Sequence, residues 1–126
     1  MLDSTVLIDY LRGRPAVARV NALQRTGDVP ATTALNVEEL VRGLRPVEQE
    51  RADRLLAGLR VLEIGEVEGR LAGSWRRGFA AGGVTLSQAD CLIAAAALSA
   101  GARLATGNPR DFPMVELSVE HWPVGG

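Results

Sequence analysis

The sequence contains no lysine: all 14 of its basic residues are arginines. This absence excludes chemistry that depends on a lysine amine, namely a P-loop phosphate site, a Schiff base, and lysine-assisted phosphoryl transfer. Histidine is also scarce, since His121 is the only one and lies near the C-terminus. A Ser-His-Asp or Cys-His catalytic site is therefore not expected.

Other absences bound the kind of protein. Cys91 is the only cysteine, so no disulfide can form within the chain, and we expect a small buried thiol there. No apolar run reaches the ~18–20 residues of a membrane span, and no basic and apolar leader opens the sequence. These features predict a cytoplasmic protein that does not enter membranes. The net charge of −1 gives no overall attraction for nucleic acid, so an RNA surface would have to be a local patch.

The residues that are present fit one globular domain. The chain has 126 residues, 47% of them hydrophobic, and a chain of this size buries about two thirds of its unfolded surface. We therefore expect a single domain spanning residues 1–126. Strand-like segments alternate with segments of helical periodicity, which predicts an α/β fold with a central parallel sheet between two layers of helices.

The periodicity also places the individual elements. In residues 66–81, for example, Val67, Leu71, Trp75 and Phe79 recur at steps of four and predict an amphipathic helix. Helices are predicted at 4–11, 16–23, 46–59, 66–81 and 87–100, with another starting near Asn36; strands are predicted at 1–2, 28–33, 103–106 and 115–119, and 61–64 is either a strand or an extended link.

Four acidic residues lie at the predicted strand–helix junctions or in the turn after a strand: Asp3, Glu39, Asp90 and Asp111. A parallel sheet gathers such positions at the carboxyl edge of its strands. Gathered carboxylates repel one another and require a cation. Carboxylate oxygens are the ligands that Mg²⁺ and Mn²⁺ favour, so the pattern predicts a site for one of these ions.

Each of these acids also has a local structural interpretation. A helix N-cap, a capping box and a turn all use acidic residues at these spacings. Asp3 fits a helix cap, Asn36 with Glu39 fits a capping box, Ser87 with Asp90 fits a looser version of it, and Asp111 fits a turn.

Two further points concern the predicted site. Glu38 and Glu39 are neighbours about 100° apart on one helix, so only one of them can face a shared cluster, and we favour Glu39. Thr5 and Thr106 are predicted to hold a carboxylate or a water molecule from a second shell around the ion.

The order and spacing of these residues resemble the PIN-domain nucleases, and among them the VapC-type toxins of bacterial toxin–antitoxin pairs. The matching pieces cover nearly the whole chain. They are Asp3-Ser4-Thr5-Val6-Leu7-Ile8, Glu39-Leu40-x-x-Gly43, Asp90-x-x-Ile93-Ala94-Ala95 and Thr106-x-Asn108-x-x-Asp111-Phe112.

The resemblance implies a three-layer α/β/α sandwich, an Mg²⁺- or Mn²⁺-dependent endoribonuclease, a homodimer, and inhibition by a cognate VapB-type antitoxin. It also implies that Asp3, Glu39 and Asp90 are the metal-site acids. The sequence departs from the family at Asn108, where a fourth acid is frequent. Either Asp111 compensates or the fourth acid is dispensable. Only two residues precede Asp3, which makes the first strand unusually short and raises the question of an earlier native start.

The proposed chemistry agrees with the composition. Cleavage of an RNA phosphodiester needs an activated water and stabilisation of charge at phosphorus, and divalent ions supply both without histidine. A catalytically silent PIN-like interaction module is the main alternative. A phosphoacceptor signalling domain also has an acidic pocket, but it would lack a lysine here. Arginines that would contact RNA phosphates, or else form a solvated charged face, are Arg12, Arg14, Arg76 and Arg77.

Overall fold

The computed structural model describes residues 1–125, along which helices and short strands alternate. The helices are α1 (Ser4–Leu11), α2 (Ala16–Arg25), α3 (Ala34–Arg42), α4 (Gln49–Ala57), α5 (Glu66–Ala81) and α6 (Gln88–Ser99). The strands are β1 (Ala31–Thr33), β2 (Arg60–Leu62), β3 (Leu104–Thr106) and β4 (Val119–His121), and 3₁₀ turns cover Pro46–Glu48 and Pro109–Asp111.

Leu2 joins two pairs of parallel strands into one sheet. β1 pairs with β2 and β3 pairs with β4, both in parallel. The Leu2 N–H donates to the carbonyl of Ala31 at 2.7 Å, and Leu2 forms a parallel bridge with Ala105. The spatial order is therefore β2, β1, the N-terminal segment, β3, β4. The carboxyl end of the N-terminal segment, where Asp3 follows, lies at the centre of this sheet.

Side chains alternate between the two faces of the sheet, as extended backbone requires. Leu104 packs into a core with α5 and α6, whereas Leu2 and Ala105 pack into a core with α1 to α4. α6 is buried almost all round because four successive small residues, 94–97, let it lie close to the sheet. Helices thus cover both faces, and the predicted three-layer α/β arrangement is confirmed.

The prediction of a last strand at residues 115–119 is wrong. The Leu117 N–H turns back to the carbonyl of Met114 at 3.2 Å, and Val115 is 92% exposed. The strand instead begins at Val119 and continues to His121. Residues 115–117 instead form a turn, in which Leu117 points into the core beside Met114.

Other predicted boundaries shift by small amounts. The strand predicted over residues 28–33 is confined to Ala31–Thr33, and residues 1–2 form a single bridge rather than a strand. The helix expected near Asn36 begins at Ala34. Within residues 1–125, every helix falls short of the length and apolar character that crossing a membrane requires.

Candidate active site

Asp3 lies at the centre of the carboxyl edge of the sheet and begins α1. It is the N-cap residue, and its Oδ1 accepts a hydrogen bond from the Val6 N–H at 3.3 Å. Its relative exposure is only 4%. Burial raises the pKa of Asp3, and the hydrogen bonds that it accepts work in the opposite direction. Asp3 therefore both caps α1 and lies buried in the site.

Two threonine hydroxyls hold the Asp3 carboxylate from either side. Thr5 Oγ1 donates to Asp3 Oδ1 at 2.5 Å, and Thr106 Oγ1 donates to Asp3 Oδ2 at 2.5 Å. The backbone N–H groups of Gly107 and Asn108 donate to Thr5 and Thr106 at 2.8 and 3.0 Å. Because each hydroxyl accepts a backbone proton, its own proton is free for Asp3. This geometry favours the ionised carboxylate.

Glu39 faces the site and Glu38 does not. The Ser4 hydroxyl donates to Glu39 Oε2 at 3.0 Å, so that α1 and α3 are tied together beside Asp3. Glu38 instead pairs with Arg42 at 3.5 Å, on the solvent side of the helix. Of the two neighbours, Glu39 is the one that lies beside the other acids.

Asp90 completes an electrostatic cluster. Ser87 caps α6, and its Oγ accepts the Asp90 N–H at 3.0 Å, as the looser capping pattern predicts. The Asp90 carboxyl is half-buried, and burial is the main cause of its raised pKa. Asp111, Glu39 and Asp3 raise it further by charge repulsion. The other three predicted acids are therefore close enough to act on Asp90.

Asp111 and Asn108 lie at the rim of this acidic cluster. Asp111 is in the 3₁₀ turn after β3, where its N–H donates to the Asn108 carbonyl at 3.1 Å, so its turn interpretation also holds. Both side chains are exposed. They line an open pocket of about 580 Å³ together with Arg110 and His121.

The cluster has the negative charge and the oxygen donors that a divalent ion favours. Its carboxylates, however, do not converge on one point. In the described part of the chain, no three His, Cys, Asp or Glu side chains are arranged so that they would hold one ion. None of the ion pairs found in residues 1–125 involves Asp3, Glu39, Asp90 or Asp111. The buried, threonine-held carboxylate of Asp3, which acts on Asp90 together with Glu39 and Asp111, has the charge and the oxygen donors that Mg²⁺ or Mn²⁺ favours.

The capping box predicted for Asn36 and Glu39 is wrong. Thr33 caps α3, and its Oγ1 accepts the Asn36 N–H at 3.4 Å. Asn36 is fully buried one turn before Glu39, and its Nδ2 finds no hydrogen-bond partner among residues 1–125. The Asn-x-x-Glu spacing is compatible with Asn36 either as the helix cap or as a residue inside the helix, so the sequence alone does not separate these two positions.

The C-terminal tail also supports the site, which the sequence did not indicate. Both methyl groups of Val124 lie 2.9 Å from the position that a Cβ on Gly107 would take. The tail is fixed by Asp9, a buried acid whose Oδ1 accepts the Gly125 N–H at 2.9 Å. Arg19 stacks over Trp122 at 5.8 Å from its ring centroid. Gly107 is therefore confined between the tail and Thr5.

Comparison with known proteins identifies a family. The PIN domain family model matches residues 1–116. Ribonuclease VapC10 of Mycobacterium tuberculosis is 36% identical over 116 residues, which cover 92% of this chain and 87% of the relative. Ribonuclease VapC19 of the same organism is 32% identical over 115 residues, covering 90% of this chain and 92% of the relative.

Solved structures share the fold. VapBC2 from Rickettsia felis, bound to a DNA fragment from its promoter, superposes with a TM-score of 0.84 over 97% of each chain at 22% identity. DNA-bound VapBC from Salmonella typhimurium superposes with a TM-score of 0.77, over 97% of this chain and 96% of that chain, at 24% identity.

Proposed function

The chain belongs to the PIN domain family, and on that premise we propose that it is the toxin of a bacterial toxin–antitoxin pair, a divalent-metal-dependent endoribonuclease. The observation that carries the proposal is the acidic cluster: Asp90 is repelled by Asp111, Glu39 and Asp3, and Asp3 is held by two hydroxyl donors. Relatives named as ribonucleases align over nine tenths of the chain. The further parts of the proposal are a single domain over residues 1–126 and a cytoplasmic location.

Asp3, Glu39 and Asp90 would hold the Mg²⁺ or Mn²⁺. When bound, the ion supplies an acidified water and neutralises the charge that develops at phosphorus. The hydrogen bonds from Thr5 and Thr106 lower the pKa of Asp3 against the effect of burial and fix the plane of its carboxylate, and Ser4 orients Glu39.

Asn108 replaces a fourth carboxylate with a neutral amide. The cluster therefore carries less negative charge than four inner acids would have, which limits the repulsion that a bound ion has to offset. Asp111, exposed at the rim, is the remaining candidate for a fourth acid and would act on the attacking water rather than on the ion.

Partners follow from the family. The structural neighbours are described as VapBC complexes and a toxin–antitoxin complex, some of them bound to DNA. We propose that this chain forms a homodimer and is inhibited by a VapB-type antitoxin. Because the acidic cluster attracts cations, a guanidinium of the antitoxin would pair with it and exclude the metal ion.

The test is cleavage of single-stranded RNA by the purified chain. We expect cleavage with Mg²⁺ or Mn²⁺, none in EDTA, and none by Asp90→Asn. Glu38→Gln is the matched control, since it removes one carboxylate from the adjacent solvent face of α3. Cleavage that persists in EDTA would reject the metal mechanism. A wild-type chain that binds an antitoxin but cleaves no RNA would instead be a silent interaction module.

A further inference from the structure

Four arginines line an open pocket of about 420 Å³ at the end of α1 remote from the acidic cluster. We name it the arginine pocket. Its walls are Leu11, Arg12, Arg14, Arg45, Val47, Glu48 and Arg51, contributed by the end of α1, the turn before α2, the 3₁₀ turn and the start of α4. All four arginine side chains are exposed.

The pocket carries uncompensated positive charge. Glu48 is its only carboxylate, and it is paired with Arg45 at 3.1 Å. The guanidinium of Arg45 holds the pKa of Glu48 at about 2, so this carboxylate is ionised and committed to Arg45. Within residues 1–125, no carboxylate lies within 4.0 Å of the guanidinium nitrogens of Arg12, Arg14 or Arg51. Three arginines of the pocket therefore form no ion pair within these residues, although Arg12 contributes to the lowered pKa of Glu48, in a chain whose net charge is −1.

One face of α1 runs from the acidic cluster to the pocket. Ser4, Ile8 and Arg12 follow one another at steps of four and share one face of α1. Ser4 bonds to Glu39 in the cluster, and Ile8 lines a small cavity together with Arg12 and Glu48. Eight residues of α-helix rise about 12 Å. A stacked nucleic-acid strand advances about 3.4 Å per nucleotide, so the two sites are about three to four nucleotides apart.

We propose that the arginine pocket binds a backbone phosphate of the RNA substrate, three to four nucleotides from the phosphate at the acidic cluster. The inference rests on the proposed ribonuclease function and names a second contact of the same substrate. Guanidinium groups match phosphate oxygens in a bidentate geometry. Contacts of this kind fix the register of a strand without reading its bases. The pocket thereby supplies the local attraction that the net charge does not provide.

The test measures binding separately from cleavage. A fluorescent 12-nucleotide oligouridylate is titrated in EDTA, and its anisotropy is followed at several NaCl concentrations. The pocket variant is Arg14→Gln with Arg51→Gln. The matched control is Arg25→Gln with Arg60→Gln, which removes two exposed arginines outside the pocket. Two lost phosphate contacts should lower the slope of log K against log salt by about 1.4 and weaken binding about 10–30-fold at 0.1 M salt.

The outcomes separate the inference from the function. If the pocket variant binds as the control does, the pocket is not an RNA site, while Mn²⁺-dependent cleavage by the wild type would still support the function. If the wild type cleaves no RNA, the result rejects the proposed ribonuclease function. An acidic protein segment is the other candidate occupant. Hexaglutamate that displaces oligouridylate from the wild type at equal concentration would assign the pocket to such a segment and overturn the RNA assignment.

Discussion

The backbone N–H of Gly107 donates a hydrogen bond to the hydroxyl of Thr5 at 2.8 Å, across 102 residues of sequence. This bond directs the hydroxyl proton of Thr5 onto Asp3, which begins the first helix. The C-terminal tail lies directly behind, because Val124 fills the space where a Cβ on Gly107 would point. The orientation of the buried carboxylate therefore depends on the segment after β3 and on the tail.

Gly107→Ala should impair cleavage. Its Cβ would lie 2.9 Å from Val124 and 3.2 Å from Thr5 Oγ1, so that one of the two has to move. We expect a single-turnover rate at least ~10-fold lower, since small misplacements of a reacting group are costly. Gly107→Ala with Val124→Ala should recover much of the loss.

The control for this change is Gly73→Ala, which places the same methyl group in open space on α5. It should leave cleavage intact and stabilise the helix by roughly 0.5–1 kcal/mol, because alanine favours helix over glycine. Equal rates for Gly107→Ala and the wild type would show that the tail does not support the site.

Thr106→Val should weaken metal binding. The substitution keeps the shape of the side chain but removes the proton donated to Asp3 Oδ2. This hydrogen bond lowers the pKa of Asp3, so its loss should raise that pKa further. By analogy with other groups that orient metal ligands, Mn²⁺ affinity or activity should fall about 10–100-fold. Thr106→Ser retains the hydroxyl and should restore both; failure of the serine variant to do so would assign the effect to packing.

Asp3→Asn should raise stability in EDTA at pH 7 while abolishing cleavage. Burial raises the folded-state pKa of Asp3 above its ordinary 3.8. The ionised form therefore opposes folding above the folded pKa, and this penalty disappears as the pH falls towards 3.8. The stability advantage of Asp3→Asn over the wild type should therefore shrink as the pH falls towards 3.8. A variant that is less stable than the wild type at pH 7 would contradict the argument.

Glu48→Gln should lower stability at neutral pH. Arg45 holds the pKa of Glu48 at about 2, below its ordinary 4.5. A depressed acid pKa contributes stability above 4.5, and that contribution is lost as the pH falls from 4.5 to about 2. The difference in melting temperature between Glu48→Gln and the wild type should therefore be complete at pH 7 and should disappear as the pH falls from 4.5 to about 2. Glu50→Gln, in an exposed pair with Arg54, is the control and should have a smaller effect.

Periodicity was sufficient to predict the main elements of the fold. The α1 and α5 boundaries agree with the sequence because the apolar spacing, Asp3 and Gly82 define them locally. The strands are only three residues long, and so short a segment carries little pattern. The error at residues 115–119 arose because apolar residues that alternate along a turn look like a strand, although Val115 is exposed.

Asp3, Asp90 and Asp111 were predictable because each follows a strand or lies at the start of a helix, whereas Glu39, expected at a strand–helix junction, lies in the second turn of α3. Their supporting contacts were less accessible from sequence. Ser4, Gly107 and Val124 contribute a hydroxyl, a backbone N–H and a methyl contact, none of which has a distinctive spacing. The burial of Asn36 depends on how α3 packs, which its local sequence does not define.

Asp3, Glu39 and Asp90 are proposed to share a divalent-ion site, and Mn²⁺ binding measured by electron paramagnetic resonance is the direct test. We expect saturable binding to the wild-type chain and to Glu38→Gln. Binding should be at least about tenfold weaker for Asp3→Asn, Glu39→Gln and Asp90→Asn, since each removes a charged oxygen ligand. Mn²⁺ that binds Asp90→Asn as tightly as the wild type would contradict the claim.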